Sequence, residues 1–305
     1  MGGKNEPVYI KTHRSGKLAE KIRRAYEIIE DCTLCPRQCH VNRMEGETGT
    51  CRTGKQMKVA SFHPHFGEES PLVGRNGSGT IFVTYCSLMC CFCQNYDISH
   101  EGWGEPVSDE RAAEMMLSLQ AMGCHNINFV TPTHVVPQIL SALEKAVEGG
   151  LEIPLVYNSG GYDKTETLRL LEGVFDIYMP DFKFTDAGIA ERACSAPDYP
   201  QAARDALREM HRQVGDLVVD DSGIALRGLI VRHLVLPQDT SGTREVMRFI
   251  ANEISPDTYV NVMSQYRPMG RAADIQELSR PLSPGQYRAA VEAAREEGIR
   301  RLDRP

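Results

Sequence analysis

The sequence lacks the features of membrane and secreted proteins. Its 305 residues contain no run of about 18 or more apolar residues, which is the length that a membrane-spanning helix requires. The first residues, Met-Gly-Gly-Lys-Asn-Glu, lack the apolar region of a signal peptide. We therefore expect a cytoplasmic protein that binds no membrane.

The sequence also lacks an excess of positive charge, internal repeats and low-complexity tracts. Its net charge of −7 argues against a general nucleic-acid-binding protein. A chain of 305 residues can form one barrel-sized α/β domain with an extension, and it leaves little room for two independent domains. We expect soluble partners and no nucleic acid.

Cysteine, in contrast, is abundant and clustered. In a small secreted protein the ten cysteines would suggest disulfides, but in a cytosolic chain of this length clustered cysteines indicate metal or redox chemistry. Two isolated residues, Cys124 and Cys194, are expected to be packed thiols. The other eight form two groups, which are Cys32, Cys35, Cys39 and Cys51, and then Cys86, Cys90, Cys91 and Cys93.

The second group contains the spacing Cys-x3-Cys-x2-Cys in Cys86, Cys90 and Cys93. Three thiolates can hold a [4Fe-4S] cluster and leave one iron open for a non-protein ligand. Replacing Cys90 by Cys91 gives a spacing that matches no cluster motif, so Cys91 is interpreted as a spare thiol. The alternatives are buried free cysteines or part of a zinc site, although structural zinc normally has four protein ligands.

The position of this group also favours a functional site. The preceding residues 79–85, Gly-Thr-Ile-Phe-Val-Thr-Tyr, predict a buried strand. The thiols would then lie just past the C-terminal end of that strand. Parallel α/β folds build their sites at such strand ends.

Strands and helices alternate along the rest of the chain. An amphipathic helix is predicted at 17–31 and a strand at 58–62. From residue 80 onward six strands with helical crossovers predict a parallel sheet, which could be an open doubly wound sheet or a partial barrel. The later strands are predicted at 126–131, 153–157, 175–179, 229–236 and 259–264, and the helices at 108–122, 135–147, 164–171, 200–214, 243–254 and 284–297, with a hairpin at 217–226.

The second cysteine group resembles the cluster loop of the radical S-adenosylmethionine (SAM) superfamily, whose signature is Cys-x3-Cys-x-aromatic-Cys. Cys86, Cys90, Phe92 and Cys93 match this signature position by position. The following residues 94–99, Gln-Asn-Tyr-Asp-Ile-Ser, are similar to the branch related to pyruvate formate-lyase activating enzymes. The chain departs from many relatives at Tyr85, where they have glycine.

The resemblance implies a partial (β/α)6 barrel at 79–305, preceded by an N-terminal helix and cysteine-rich extension at 1–78. It implies a [4Fe-4S] cluster whose open iron binds SAM, and a flavodoxin- or ferredoxin-type reductant. One electron would cleave SAM to methionine and a 5′-deoxyadenosyl radical, which abstracts hydrogen from a substrate. The candidate substrate is a glycine of a partner glycyl-radical enzyme. The alternatives are a small molecule or a non-glycyl protein residue, or a non-enzymatic zinc or electron-transfer protein.

The resemblance also implies a set of SAM contacts, while no catalytic residue is assigned. Thr131 and Thr133 stand where many relatives have Gly-Gly-Glu, although Thr133 could merely cap the next helix. Asp181 and Lys183 match an Asp-x-Lys pair of activating enzymes, although such a pair can be a surface ion pair of little energetic value. Asn158, Ser159 and Arg232 are candidates because they lie at the ends of further predicted strands, although Asn158 and Ser159 before a glycine pair could form only a turn. The full set of candidate cofactor contacts is Phe92, Thr131, Thr133, Asn158, Ser159, Asp181, Lys183 and Arg232.

The first cysteine group, Cys32, Cys35, Cys39 and Cys51, fits either tetrahedral zinc or an auxiliary iron-sulfur cluster. Glycines at 46, 49 and 54 would let the backbone wrap closely around a metal. The pattern Cys-x-Leu-Cys-Pro-Arg-x-Cys resembles the N-terminal extension of a subgroup of activating-enzyme relatives. The identity of the second metal stays open.

Overall fold

The computed structural model describes residues 6–303, which form one open sheet surrounded by helices. The strands are β1 Met57–His65, β2 Ser78–Val83, β3 Glu105–Val107, β4 Ile127–Val130, β5 Leu155–Ser159, β6 Ile177–Pro180, β7 Val218–Val219, β8 Ala225–Leu234, β9 Tyr259–Met263 and β10 Arg301–Leu302. The helices are α1 Val8–Arg14, α2 Lys17–Ile28, α3 Ser70–Val73, α4 Asp109–Ala121, α5 Val136–Glu148, α6 Thr165–Leu170, α7 Ala187–Cys194, α8 Tyr199–Val214, α9 Thr243–Phe249 and α10 Pro284–Glu296.

The strand order explains the shape of the sheet. It runs β10-β9-β8-β6-β5-β4-β2-β1-β3, and β7 pairs with β8 beside this path. The six strands β2, β4, β5, β6, β8 and β9 are parallel, and β1 and β3 are antiparallel at one edge. Among the described strands, the two ends of the order do not pair with each other. This arrangement confirms the predicted partial (β/α)6 barrel.

Alternation along the strands separates two faces, because successive side chains point to opposite sides of a sheet. On the concave face, Val156, Ile177 and Ile230 pack with Leu72 of α3 in a small apolar cluster. Each fully buried aliphatic side chain contributes about 1.5 to 3 kcal/mol. Two residues further along the same face come the polar residues Asn158 and Arg232, so the apolar cluster forms a floor beneath them.

The extension predicted at 1–78 contributes to the same sheet. Its strand β1 pairs with β2 through the register Phe62↔Ile81 and with β3 through Lys58↔Pro106. Its helix α2 ends at Ile28, before the predicted residue 31, and the short helix α1 precedes it. The N-terminal segment is therefore packed into the barrel.

Other elements agree with the sequence except at a few positions. The Ser108 hydroxyl accepts a hydrogen bond from the Arg111 amide at 3.2 Å, which confirms the predicted start of α4. The helix predicted at 243–254 is α-helical only to Phe249 and continues as a π-helix at Ile250–Ile254. The sequence did not predict α7, β3 or β10. Within residues 6–303, no helix is both long and apolar enough to cross a membrane.

Candidate metal centre and cofactor site

The cysteine loop (residues 86–93) follows β2 at the C-terminal edge of the sheet. The Leu88 amide donates a hydrogen bond to Cys86 Sγ at 3.3 Å, and the Cys93 amide donates to the Cys90 carbonyl at 3.1 Å. Met89 has a φ of 57°, in a left-handed region that non-glycine residues rarely adopt. The loop therefore folds tightly back on itself and turns backbone N–H groups toward sulfur.

Tyr85, the departure from the family signature, has a φ of 71°. This conformation suits glycine and is strained for a tyrosine, so the surroundings must hold it. The Tyr85 ring lies against Gly102, where an added Cβ would fall 2.6 Å from the phenol. Lys58 Nζ lies 5.4 Å from the ring centroid. The substitution thus preserves the backbone geometry that glycine would provide.

The three thiols of the motif lie close enough to influence one another. Burial raises the pKa of Cys86 to about 12, and the nearby Cys90 and Cys93 act in the same direction. Burial also raises the pKa of Cys93. The pKa of Cys90 is lowered, chiefly because the Cys194 thiol donates to it. Cys194, expected to be an isolated packed thiol, is buried but lies beside the motif.

Four predicted cofactor contacts meet near these thiols in a buried polar cluster. Arg232 Nε donates to Asp181 Oδ1 at 2.7 Å, and Arg232 Nη2 donates to Asn158 Oδ1 at 2.7 Å. Lys183 Nζ donates to Asp181 Oδ2 at 2.5 Å. Burial alone would raise the pKa of Asp181, but Arg232 and Lys183 hold it below its usual range. Lys183 also lies near Cys90, which connects this cluster to the cysteine loop.

Two adjacent glutamates complete the concave face. Glu68 Oε2 lies 3.5 Å from Arg232 Nη1, and Glu69 Oε1 accepts from Asn261 Nδ2 at 2.8 Å. Burial raises the pKa of both carboxyl groups, although Arg232 opposes the rise. Glu69 Oε2 has no hydrogen-bond partner among residues 6–303. The open end of the barrel is therefore lined by charged and hydrogen-bonding groups.

Thr133 and Ser159 lie on the other side of the sheet. Their hydroxyls donate to Asp163 at 2.7 and 2.6 Å, and the Tyr157 hydroxyl donates to the same carboxylate at 2.9 Å. Thr133 therefore binds Asp163 and makes no capping hydrogen bond to the following helix. These contacts separate Thr133 and Ser159 from the Arg232 cluster, and their role as SAM contacts stays a prediction.

Thr131 and Phe92 occupy constrained positions near the site. Thr131 has a φ of 64°, and its amide donates to the Asn158 carbonyl at 2.8 Å. Phe92 is buried in edge-to-face contact with Phe184 and Tyr266, with ring centroids 5.9 and 6.0 Å away. An adenine ring next to Phe92 would have to pack beside this aromatic cluster. Both residues remain predicted cofactor contacts.

The N-terminal thiol site (Cys32, Cys35, Cys39 and Cys51) surrounds one small cavity, which Arg43 and His134 also line. Burial raises the pKa of Cys35 and of Cys51. A Cβ at Gly49 would lie 2.5 Å from Cys39 Sγ, so only glycine fits there without displacing the thiol. This contact supports the expected close wrapping of the backbone.

The cysteine side chains are not arranged as a preformed single-ion site. Within residues 6–303, no three His, Cys, Asp or Glu side chains already surround a common metal-ion position. In a [4Fe-4S] cluster each thiolate binds a different iron, so its sulfur ligands need not converge on one point. The soft thiols of the cysteine loop and their N–H neighbours fit such a cluster in number and in chemistry.

Arg37 links the two cysteine regions. Its guanidinium donates to the carbonyls of Ser87 at 3.0 Å, Leu88 at 3.1 Å and Cys194 at 2.6 Å, and also to the carbonyl of Ser195. Because Arg37 lies between Cys35 and Cys39, these bonds connect the N-terminal thiol site to the cysteine loop and to the end of α7.

A cavity of about 680 Å³ opens beside the cysteine loop. This volume is within the range of small-molecule sites. Its lining combines loop residues with charged groups, and it includes Arg52, Met89, Cys91, Tyr96, His100, Arg192, Cys194, Arg271 and Asp274.

Comparison with known proteins places the chain in a family. No protein-family model matches it. The uncharacterized protein MJ0674 of Methanocaldococcus jannaschii is 33% identical over 284 residues, which cover 90% of this chain and 77% of that protein. The chain belongs to the family of MJ0674.

Among solved structures, methylornithine synthase (PylB) aligns with 73% of this chain at 15% identity and a TM-score of 0.49. The alignment covers 63% of the PylB chain, so this chain spans less than two thirds of that protein's length.

Several residues of the candidate site were not predicted from the sequence of this chain alone. Glu68 and Glu69 belong to a Gly-Glu-Glu-Ser-Pro segment whose position against Arg232 depends on the fold. Asn261 is a polar residue within an apolar strand, and this is a signal that could have marked the concave face. Arg37 and the buried Arg43 lie among the N-terminal cysteines, and basic residues within a cysteine cluster are a signal that could have marked them.

Proposed function

We propose that this protein is a radical SAM iron-sulfur enzyme that abstracts hydrogen from a substrate. Cys86, Cys90 and Cys93 would hold the [4Fe-4S] cluster. The observation that carries the proposal is the placement of these thiols past the C-terminal end of β2, where Cys90 lies near Lys183 of the buried polar cluster. Such an edge is where parallel α/β barrels assemble their active sites.

When bound, the cluster and SAM supply an electron and a 5′-deoxyadenosyl radical for hydrogen abstraction. The protein residues provide binding, orientation and exclusion of water. Lys183 and Arg232 offer cationic donors for a carboxylate, and Asn158 offers an amide. Asp181 keeps both cations in place, because it accepts a hydrogen bond from each. This buried cluster can orient an amino-acid group such as that of SAM.

We propose two main candidates for the substrate. A glycine of a partner glycyl-radical enzyme is the first candidate, with a flavodoxin- or ferredoxin-type protein as the reductant. The charged cavity of about 680 Å³ beside Met89 and Cys91 favours a second candidate, a polar small molecule. A non-glycyl protein residue would reach the same face of the loop.

The test of radical SAM activity is anaerobic reconstitution with iron and sulfide, followed by dithionite and SAM. We expect release of 5′-deoxyadenosine from the parent protein and none from Cys93→Ala. Cys124→Ala is the matched control, because its buried thiol lies outside both cysteine groups, and it should retain both cluster and release. A cluster-loaded parent protein that never cleaves SAM would contradict the proposal. Two zinc ions and no iron would instead support a non-enzymatic metal-binding protein.

The two substrate candidates differ in what acquires the radical. With a glycyl-radical enzyme as partner, electron paramagnetic resonance should show a glycyl radical on that protein after the reaction. With a small molecule, hydrogen should pass from a deuterium-labelled compound into 5′-deoxyadenosine. Arg271→Ala should weaken binding of the small molecule, because this side chain lines the cavity.

A further inference from the structure

We infer that the N-terminal thiol site binds a soft metal centre through four thiolates, and that Arg43 is the counter-charge of this centre. The centre is either zinc or an iron-sulfur cluster, which share the same ligand chemistry. The inference concerns Cys32, Cys35, Cys39 and Cys51 and is independent of the proposed SAM chemistry.

Arg43 is a buried cation without a carboxylate partner. The Arg43 residue is 1% exposed. Its guanidinium donates to the Gly54 carbonyl at 3.3 Å from Nε and 2.9 Å from Nη2, and its Nη1 lies 4.0 Å from Cys32 Sγ. No carboxylate among residues 6–303 forms an ion pair with it. An isolated buried charge costs several kcal/mol, so this position calls for a negative group.

Metal-bound thiolates would supply that negative charge. When four thiols bind a divalent ion, they release their four protons to solvent and leave a doubly negative centre. An oxidised [4Fe-4S] cluster with four thiolates carries the same net charge. Free thiols and disulfides are neutral and would leave Arg43 uncompensated. None of the cysteines in the described chain forms a disulfide.

His134 provides a second, independent observation on the same cavity. The residue is 1% exposed, and its Nε2 donates to the Thr84 carbonyl at 2.9 Å. Because Nε2 carries the proton in that bond, Nδ1 is an acceptor, and it has no partner in the described part of the chain. A buried acceptor calls for an electropositive neighbour. Arg43 lines the same cavity and can supply that positive charge, so the group that the cavity still lacks is a negative one.

The test begins with a protein in which Cys86, Cys90 and Cys93 are all replaced by Ala. Any remaining metal then belongs to the N-terminal thiol site, so failure of the proposed SAM chemistry cannot affect the result. One sample receives Zn²⁺ alone, and another receives ferrous iron and sulfide under anaerobic conditions. We expect one sample to retain a stoichiometric centre after desalting and Cys35→Ser to lose it. The sample that retains metal identifies the centre as zinc or as an iron-sulfur cluster.

The role of Arg43 is tested in the same background by competition with a chelator. Arg43→Met should release the metal about 10- to 100-fold more readily, a typical effect of removing a partner outside the ligand shell. Arg43→Lys keeps the charge and should recover part of the affinity, and it serves as the reference if Arg43→Met does not fold. If Arg43→Met retains metal as well as the parent does, Arg43 is not the counter-charge of the centre. If neither the zinc sample nor the iron-sulfide sample retains metal, the four thiols do not form a metal site.

Discussion

The two cysteine regions differ in how many protein ligands they offer and in how their neighbours are charged. The cysteine loop has three motif thiols beside a strand end, whereas the N-terminal thiol site has four thiols enclosed by loops. Structural metal sites use a complete protein ligand set, and catalytic sites keep one position open for a substrate. The comparison therefore suggests a reactive centre in the cysteine loop and a supporting centre in the N-terminal thiol site.

The buried arginines show the same contrast. Arg232, near the cysteine loop, has its counter-charge in Asp181 at 2.7 Å. Arg43, at the N-terminal thiol site, hydrogen-bonds the Gly54 carbonyl and lies near the Cys32 thiol, and no carboxylate among residues 6–303 forms an ion pair with it. The described protein residues thus compensate the charge of Arg232, whereas for Arg43 we propose that a bound centre supplies the counter-charge.

The largest effect is expected when one thiol is removed from each region. Cys93→Ala should lower 5′-deoxyadenosine release by at least about 100-fold, beyond the usual effect of changing a residue outside the ligand shell. Cys35→Ser should stay within about 10-fold of the parent, because Arg37 holds the cysteine loop through its own hydrogen bonds. Chromatographic measurement of product from both variants, at matched protein concentration, makes the comparison. Equal loss in both would show that the two regions act as one reactive centre.

A stability comparison of metal-free protein should separate the two arginine environments. Asp181→Asn leaves Arg232 and Lys183 buried without their shared carboxylate and should cost about 3 to 5 kcal/mol. Arg43→Met removes a buried cation that no carboxylate among residues 6–303 compensates, so the free energy of unfolding should be unchanged or higher. Urea unfolding measures both. A large destabilisation by Arg43→Met would mean that the protein alone already compensates this charge.

Substitution of Arg37 tests how far the cysteine loop and the N-terminal thiol site depend on each other. Arg37→Lys keeps the charge but loses the planar fork that reaches four carbonyls, including those of Ser87 and Cys194. We expect about 10-fold weaker retention of iron in the cysteine loop and unchanged metal in the N-terminal thiol site. Arg23→Lys, at an exposed position of α2, is the control. Metal loss from both regions would assign Arg37 a general structural role.

The sequence predicted the regular part of the molecule well. The six parallel strands and their helices follow from local apolar patterns, and the thiols of the cysteine loop follow from spacing within eight residues. Asn158, Asp181, Lys183 and Arg232 could be grouped because parallel strands end at one edge of a sheet. These inferences use information that is local or repeated along the chain.

The remaining site residues depend on contacts between distant segments. Glu68 meets Arg232 across 164 residues, and Arg37 meets Cys194 across 157. Ser159 follows Asn158 directly, yet strand alternation turns it to the opposite face, where Asp163 binds it. No pattern in a single sequence fixes such pairings, and for the same reason the unpaired charge of Arg43 becomes visible only in the fold.

The smallest expected effect is on folding stability at acidic pH, which should fall in the same way in the two regions. Burial lowers the pKa of His134, beside the N-terminal thiol site, and that of His233, behind Asp181, to about 4 in each case. The unfolded chain binds these protons nearer pH 6.5, so folding stability is complete above that pH and is lost as pH falls toward 4.

In metal-free protein at pH 5.5, His134→Gln and His233→Gln should each reduce this acid-dependent loss by about 1 kcal/mol relative to pH 7.5. Urea unfolding at the two pH values gives the difference for each variant. Asp176, whose pKa burial raises to about 7, acts in the opposite direction, but it is common to all variants and cancels. If only His233→Gln flattens the profile, His134 is already protonated or partnered in the metal-free fold.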